Sequence, residues 1–110
     1  METKTILIID DEEQLANLMA MKASKSGFKC VISNSISEAS LKLSNQKFDG
    51  IILDMRLGAR SGEQIVTSVR ETVNSMNKVT PIIVVSAFLE PEIVKRIGTK
   101  VEGMFTKPVD

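Results

Sequence analysis

The chain alternates short unbroken runs of large apolar residues with longer stretches in which apolar residues recur every three or four positions. Unbroken runs are typical of strands buried on both faces, whereas the longer spacing is typical of amphipathic helices. Buried strands separated by helices predict a parallel sheet with helices on both faces and right-handed crossovers. The predicted strands are residues 5–9, 30–32, 51–54, 82–85 and 103–106.

Four helices are predicted between these strands from their spacing and end signals. The first follows Glu12 and ends at Gly27, and its apolar positions are Leu15, Leu18, Met19 and Ala23. The second begins at a capping box over 35–38 and ends near residue 45. The third begins at residue 62, carries Val73 on its apolar face and would extend to Met76. The fourth runs from Pro91 to Gly98. Residues 1–110 therefore form one α/β domain.

Composition excludes several classes of function. Basic and acidic residues balance, with 14 of each, so no basic patch for nucleic acid or a membrane surface is expected. No apolar stretch approaches the length of a membrane span, and residues 1–4 do not begin a signal peptide. The single Cys30 cannot form a disulfide within the chain, which favours a reducing, cytoplasmic location.

Two absences exclude further chemistry. The chain contains no histidine, so it cannot carry a phosphohistidine, use a histidine base or bind a metal through imidazole. It also lacks the glycine-rich loop with a following lysine that binds nucleotide phosphates.

Four of the five predicted strands end in polar residues. These are Asp10 and Asp11, then Asp54, Ser86 and Lys107. All carboxyl ends of a parallel sheet meet at one edge, where ligands bind in open α/β sheets, so these side chains are expected to converge. The alternative is that they only close turns, as Asp and Ser often do.

If the residues converge, their chemistry is coherent. Clustered carboxylates without Cys or His form an oxygen site that suits Mg²⁺ (or Mn²⁺) rather than Zn²⁺. Such a cation can hold oxygens of a phosphoryl group, while Lys107 neutralises another oxygen and Ser86 donates a hydrogen bond to a third. Asp54, which ends the central apolar run, would be the nucleophile that forms an acyl phosphate.

Four motifs, in their order and spacing, resemble the receiver domains of response regulators in bacterial two-component signalling, the CheY-like superfamily. They are residues 6–13, 51–57, 85–87 and 106–108. The resemblance covers nearly the whole chain. It implies a flavodoxin-like fold with a single open parallel five-stranded sheet in the order 2-1-3-4-5.

The resemblance also implies roles for the metal site. Asp54 would be the phosphoacceptor, and Asp11, Asp54 and the backbone carbonyl of Arg56 would bind Mg²⁺ directly. Asp10 would assist through a water bound to the metal. Ser86 would be the switch hydroxyl, with Lys107 beside the phosphoryl group.

The implied function is a signalling module that switches protein–protein interactions and is not an enzyme. The phosphoryl donor would be a histidine of a sensor histidine kinase or a histidine phosphotransfer protein. The lack of histidine in this chain agrees with a donor on another molecule.

The chain departs from the family pattern at its end. Family members usually continue into a fifth helix that packs beside the first, whereas this sequence stops at Asp110. We expect the sheet face left without that helix to be covered by a second copy or another protein, unless the sequence is a truncated form.

Four positions near the site also differ. Met104 stands where the family has its switch aromatic, with Phe105 beside it either as a substitute or as an ordinary strand residue. Gly58 replaces a frequent proline, which predicts a looser loop. Arg56 and Phe88 flank the expected path of the hydrolytic water, so a bulky Phe88 is expected to slow loss of the phosphoryl group.

Two alternative functions stay open from the sequence. A degenerate receiver would act as an interaction module without phosphorylation, although all the expected acidic, hydroxyl and lysine positions are filled. A phosphatase with an Asp nucleophile is disfavoured, because such enzymes usually place a second Asp where Arg56 stands.

Overall fold

Strands and helices alternate along the chain as the apolar pattern predicts. The computed structural model describes residues 3–107. A two-stranded ribbon, Arg56–Leu57 paired with Arg60–Ser61, was not predicted and follows the strand Gly50–Leu53. The strands are β1 (Thr5–Ile9), β2 (Lys29–Ser33), β3 (Gly50–Leu53), β4 (Ile82–Ser86) and β5 (Gly103–Thr106), and the helices are α1 (Glu13–Lys25), α2 (Ile36–Asn45), α3 (Glu63–Glu71) and α4 (Pro91–Ile97).

The five strands form one parallel sheet in the order β2-β1-β3-β4-β5, which confirms the predicted fold class and strand order. Pro108, the last residue of the 106–108 motif, lies outside the described residues. The expectation about a fifth helix also concerns a part of the chain after the described residues. Within residues 3–107, no helix is both long and apolar enough to cross a bilayer.

One face of the sheet is well covered. Apolar side chains from the odd-numbered positions of β1 and β3 and from the even-numbered positions of β4 pack against α2, α3 and α4 in a single core. Large members of that core are fully buried, among them Leu7, Phe48, Ile51, Ile65 and Ile82. This layer positions the carboxyl ends of β1, β3 and β4 beside one another.

The opposite face carries α1 and is only partly covered. Cys30 on this face donates to the Ala20 carbonyl of α1 at 3.7 Å. Ile52 and Ile83 are half-buried, so the prediction that the central strands are buried on both faces was too strong. Phe105 is 56% exposed, and its ring and the Ile83 side chain each lie 3.3 Å from where a Cβ on Gly103 would be. Cover of this face by a second copy or another protein stays a prediction.

The fully buried residue of α1 is not one of those predicted for its apolar face. Ala16 is fully buried, whereas Leu18, placed on the apolar face by its spacing, is 43% exposed. A small residue at position 16 lets the helix approach the sheet closely.

The third helix is shorter than predicted. It ends at Glu71, Thr72 is extended, and Asn74 has a φ of 63°, so Val73 lies beyond the helix and is 80% exposed. The prediction that Val73 and Met76 belong to its apolar face was wrong. A left-handed residue such as Asn74 ends helical geometry.

A buried amide fixes the turn that follows α3. Asn77 accepts hydrogen bonds from the Phe48 N–H (2.8 Å) and the Thr80 hydroxyl (3.0 Å), and it donates to the carbonyls of Leu43 (3.0 Å) and Gln46 (2.9 Å). Sequence analysis treated Asn77 only as a helix breaker. In the structure it joins the end of α2 to the entry into β3.

Candidate phosphoacceptor and metal site

Main-chain hydrogen bonds hold the polar residues at the carboxyl edge of the sheet. The Asp54 N–H donates to the Ile9 carbonyl at 2.9 Å, and the Lys107 N–H donates to the Ser86 carbonyl at 2.8 Å. The Asp10 N–H likewise donates to the carbonyl of Ser33, the last residue of β2, at 3.1 Å. The strand pairing therefore continues one residue past each strand, which brings side chains distant in sequence to one place.

Asp54 is almost fully buried and both of its carboxylate oxygens are engaged. Its Oδ1 accepts hydrogen bonds from the Ser86 hydroxyl at 3.1 Å and from the Arg56 N–H at 3.0 Å. Its Oδ2 faces the Lys107 ammonium at 2.9 Å. The structure thus brings together four of the residues to which the sequence assigned roles.

Lys107 lies between two buried carboxylates. Its Nζ is 3.0 Å from Asp10 and 2.9 Å from Asp54, and Glu12 is a third acidic neighbour at 3.5 Å. Burial alone would lower the pKa of Lys107, but its hydrogen bonds to Asp54 and Asp10 outweigh burial and raise that pKa. Lys107 therefore stays charged and offsets part of the negative charge at this edge.

Burial raises the pKa of Asp10, which is 1% exposed. Hydrogen bonds from the Glu12 N–H and from Lys107 oppose this effect, and the nearby charge of Asp54 adds to it. Three carboxylates, those of Asp10, Glu12 and Asp54, face the single Lys107 ammonium, and a cation bound there would offset the remaining negative charge.

Three carboxylates meet closely enough to hold one metal ion. Ligand oxygens of Asp10, Glu12 and Asp54 lie within 4.8 Å of one another. An all-oxygen donor set fits Mg²⁺ or Mn²⁺. Glu12 was given no metal role from the sequence, although it belongs to the run of four acids over 10–13.

Asp11, the predicted direct ligand, lines the cleft beside Asp54 but is not one of the three clustered carboxylates. It is exposed, and its Oδ2 accepts a hydrogen bond from the Gly58 N–H at 2.8 Å. Gly58 has a φ of 65° in the turn that joins the two strands of the ribbon. This conformation closes the ribbon in a tight turn, while the looser loop expected at Gly58 stays a prediction.

A cleft of about 580 Å³ opens beside Asp54. Its walls are the ribbon on one side and the segment after β4 on the other. Phe88 lines it and is 69% exposed, and Arg56 and Arg60 line the ribbon side. Phe88 and Arg56 therefore both line the cleft beside Asp54, while their effect on the lifetime of a phosphoryl group stays a prediction.

Met104 and Phe105 point to opposite faces of β5. Met104 packs on the core between the sheet and α4, with its Cε 3.9 Å from where a Cβ on Gly98 would lie. Phe105 lies on the α1 face. Since neighbouring strand residues alternate, Phe105 cannot occupy the place of Met104 without a change of register.

Gly62 is a site residue that sequence analysis missed. A Cβ at this position would lie 2.5 Å from the Asp54 carbonyl oxygen and 3.0 Å from the Met55 Cα. The start of α3 therefore rests on the main chain of the phosphoacceptor strand, and only glycine permits that approach. The sequence indicated Gly62 only as the point where a helical pattern begins.

The chain belongs to the response regulator receiver domain family, because the family model matches residues 6–110. Receiver domains are signalling modules of two-component systems, and sensor histidine kinases phosphorylate them. The acidic pocket formed by Asp10, Glu12 and Asp54 fits Mg²⁺ and phosphorylation.

Curated relatives share the domain within longer proteins. The transcriptional regulatory protein GlrR of Escherichia coli K12 is 27% identical over 106 residues, covering 96% of this chain and 23% of GlrR. The alkaline phosphatase synthesis transcriptional regulatory protein PhoP of Bacillus subtilis is 28% identical, covering 96% and 42%. The sensor histidine kinase AruS of Pseudomonas aeruginosa is 23% identical, covering 94% and 10%. The chain spans less than half of each relative.

Solved structures confirm the fold. The chemotaxis protein CheY4 of Vibrio cholerae superimposes with a TM-score of 0.87 at 24% identity, covering 99% of this chain and 90% of CheY4. A response regulator of Burkholderia pseudomallei, solved with a phosphorylated aspartic acid, a calcium ion and citrate, gives 0.87 at 21% identity, covering 97% and 61%.

Proposed function

We propose that this chain accepts a phosphoryl group on Asp54 from a histidine of a sensor histidine kinase or a histidine phosphotransfer protein. The observation that carries the proposal is the contact of the buried Asp54 carboxylate with Ser86 and Lys107 at the head of an open cleft. The phosphorylated aspartic acid in the B. pseudomallei regulator of the same fold supports it.

In the proposed reaction, an Asp54 oxygen attacks the phosphorus of a phosphohistidine. A new O–P bond forms while the P–N bond to the imidazole breaks, and the departing imidazole nitrogen keeps the electron pair. Lys107, 2.9 Å from Oδ2, neutralises charge on the phosphoryl oxygens. No base is needed, because an ionised carboxylate is already a nucleophile.

A divalent cation, Mg²⁺ or Mn²⁺, would supply further positive charge against the phosphoryl oxygens. The close group of Asp10, Glu12 and Asp54 oxygens fits such an ion. We assign Asp11 and the Arg56 carbonyl as additional ligands, as the family resemblance implies.

Ser86 links phosphorylation to a change in partner binding in this proposal. Its hydroxyl donates to Asp54 Oδ1 in the unphosphorylated chain and would donate to a phosphoryl oxygen afterwards. Since Ser86 ends β4, its movement would shift the segment that leads into α4. The module then acts through protein–protein contacts and not as an enzyme.

The test is intact mass spectrometry after incubation with acetyl phosphate and Mg²⁺. We expect an adduct of about 80 Da, the mass of one phosphoryl unit, that disappears in Asp54→Asn. Asp49→Asn is the matched control, since Asp49 is exposed and bonds a main-chain N–H at the opposite edge of the sheet.

Other outcomes separate the alternatives. An adduct that persists in Asp54→Asn would contradict the assignment of the phosphoacceptor. Repeated release of phosphate from added phosphoesters would indicate a phosphatase. The absence of any adduct from acetyl phosphate and from phosphorylated histidine donors would indicate an interaction module that works without phosphorylation.

A further inference from the structure

The side chain of Asp11 is tied to the ribbon and not to the three clustered carboxylates. Its Oδ2 accepts from the Gly58 N–H at 2.8 Å, and Asp11 is outside the group of Asp10, Glu12 and Asp54. A hydrogen bond to an ionised acceptor is stronger than a neutral one, although solvent weakens it at an exposed position.

The geometry of the turn makes the Gly58 N–H available. Leu57 pairs with Arg60, so Gly58 is the first of two central residues, and its φ of 65° is typical of a type II′ turn. The pairing joins Leu57 to Arg60 and leaves the Gly58 N–H to the side chain of Asp11. A proline at this position would offer no such donor.

The ribbon is therefore fastened at two places. At its base, the Gly62 N–H donates to the Met55 carbonyl at 2.6 Å, and the Arg56 N–H donates to Asp54. At its tip, the contact is the one between Asp11 and Gly58. Its residues form one wall of the cleft beside Asp54, so the tip contact affects the shape of that wall.

We propose that the Asp11–Gly58 hydrogen bond is a latch that metal binding opens. Asp11 is outside the cluster of Asp10, Glu12 and Asp54, so its carboxylate must move to join them at a metal ion, and in this proposal that movement breaks the contact with Gly58. The inference rests on the proposed function, in which Asp11 is a metal ligand. Metal binding would then release the tip of the ribbon and alter the cleft before any phosphoryl donor arrives.

The experiment is a titration of the ¹⁵N-labelled full chain with MgCl₂ alone, followed by two-dimensional NMR and amide hydrogen exchange. In the metal-free chain, the Gly58 amide should exchange on the order of tenfold more slowly than in Asp11→Ala. Saturating Mg²⁺ should remove that protection and move the Gly58 resonance toward its position in metal-free Asp11→Ala.

The Thr5 amide is an internal control. It donates to the carboxylate of Asp49 at 2.8 Å, a contact of the same kind at the opposite edge of the sheet. Mg²⁺ should leave Thr5 unchanged, and Asp49→Ala should remove its protection without affecting Gly58.

Two results would overturn the latch, and they differ from each other. If the Arg56 amide reports saturable Mg²⁺ binding while Gly58 keeps its shift and protection, the metal site stands and the latch is wrong. If no amide near Asp10, Asp54 or Gly58 responds to Mg²⁺, the latch and the proposed metal site are both wrong.

Discussion

Lys107 is the residue on which the charge of the site depends. It provides one positive charge to Asp10 and Asp54, which are 1% and 5% exposed, and its own side chain is 9% exposed. Buried carboxylates without a counter-charge are costly, and the loss of one partner of a buried pair destabilises strongly. The lysine therefore supports the fold as well as the chemistry proposed for Asp54.

We predict that Lys107→Met lowers the free energy of unfolding at pH 7 by about 3 kcal/mol, because two buried carboxylates lose their counter-charge. The deficit should narrow as the pH falls from 7 toward the ordinary carboxyl pKa of 3.8. The sign follows from Asp10, whose raised pKa rises further without the lysine, so the folded variant binds a proton before the unfolded chain does. Urea denaturation across this pH range measures the effect.

Lys100→Met is the matched control for that substitution. Lys100 also pairs with a carboxylate, that of Glu71 at 3.1 Å, but both side chains are well exposed. Its loss should change stability by less than about 1 kcal/mol, with little dependence on pH. A Lys107→Met variant as stable as Lys100→Met at pH 7 would show that the buried carboxylates do not need this counter-charge.

The residues at which the chain enters and leaves the ribbon both contact Asp54. Where the chain enters the ribbon, the Arg56 N–H donates to Oδ1 of Asp54, and just after the chain leaves it, Gly62 lies against the Asp54 carbonyl. The chain therefore leaves β3 at Asp54, forms the ribbon and comes back into contact with Asp54 at the start of α3. Packing of α3 on the core is transmitted to the phosphoacceptor through this contact.

We predict that Gly62→Ala destabilises the chain by about 2 kcal/mol and slows phosphorylation by acetyl phosphate, because the Asp54 main chain must move to accept a Cβ at 2.5 Å. Urea denaturation and the rate of adduct formation measure the two effects. Gly50→Ala is the control, since its Cβ would meet only Ile6 at an ordinary 3.8 Å. Equal behaviour of the two variants would contradict a positioning role for Gly62.

At the scale of elements, the apolar pattern of the sequence predicted all five strands of the sheet, including the partly exposed β2 and β5. Ser35, Pro91 and Gly98 marked helix ends close to those observed. The pattern failed at Val73, because an exposed apolar residue beyond a helix continues the periodicity that a buried one would show.

The ribbon and its contacts could not be predicted from the sequence. A strand of two residues is too short to show a period, and a glycine at position 58 is compatible with a loose loop as well as with a tight turn. The position of Asp11 depends on that turn. Glu12 and Gly62 were missed for a related reason, since their roles arise from neighbours distant in sequence.

Across the whole molecule, acidic and basic residues balance, yet the carboxyl edge of the sheet collects more acids than its lysine offsets. The residues of the site lie at the ends of β1, β3, β4 and β5, so repulsion between its acids acts on four of the five strands of the sheet. A cation that binds only the folded arrangement must therefore stabilise the whole chain.

We predict that Mg²⁺ raises the free energy of unfolding by about 2.7 kcal/mol at a concentration of about 100 times its dissociation constant. Urea denaturation with MgCl₂, compared with NaCl at equal ionic strength, measures the gain, and EDTA should reverse it. Asp54→Asn should lose most of the gain because it removes a charged ligand, whereas Asp49→Asn, altered at the opposite edge, should keep it. An equal gain in NaCl, or an undiminished gain in Asp54→Asn, would mean that Mg²⁺ acts by general screening of charge and not by binding at the carboxylates beside Lys107.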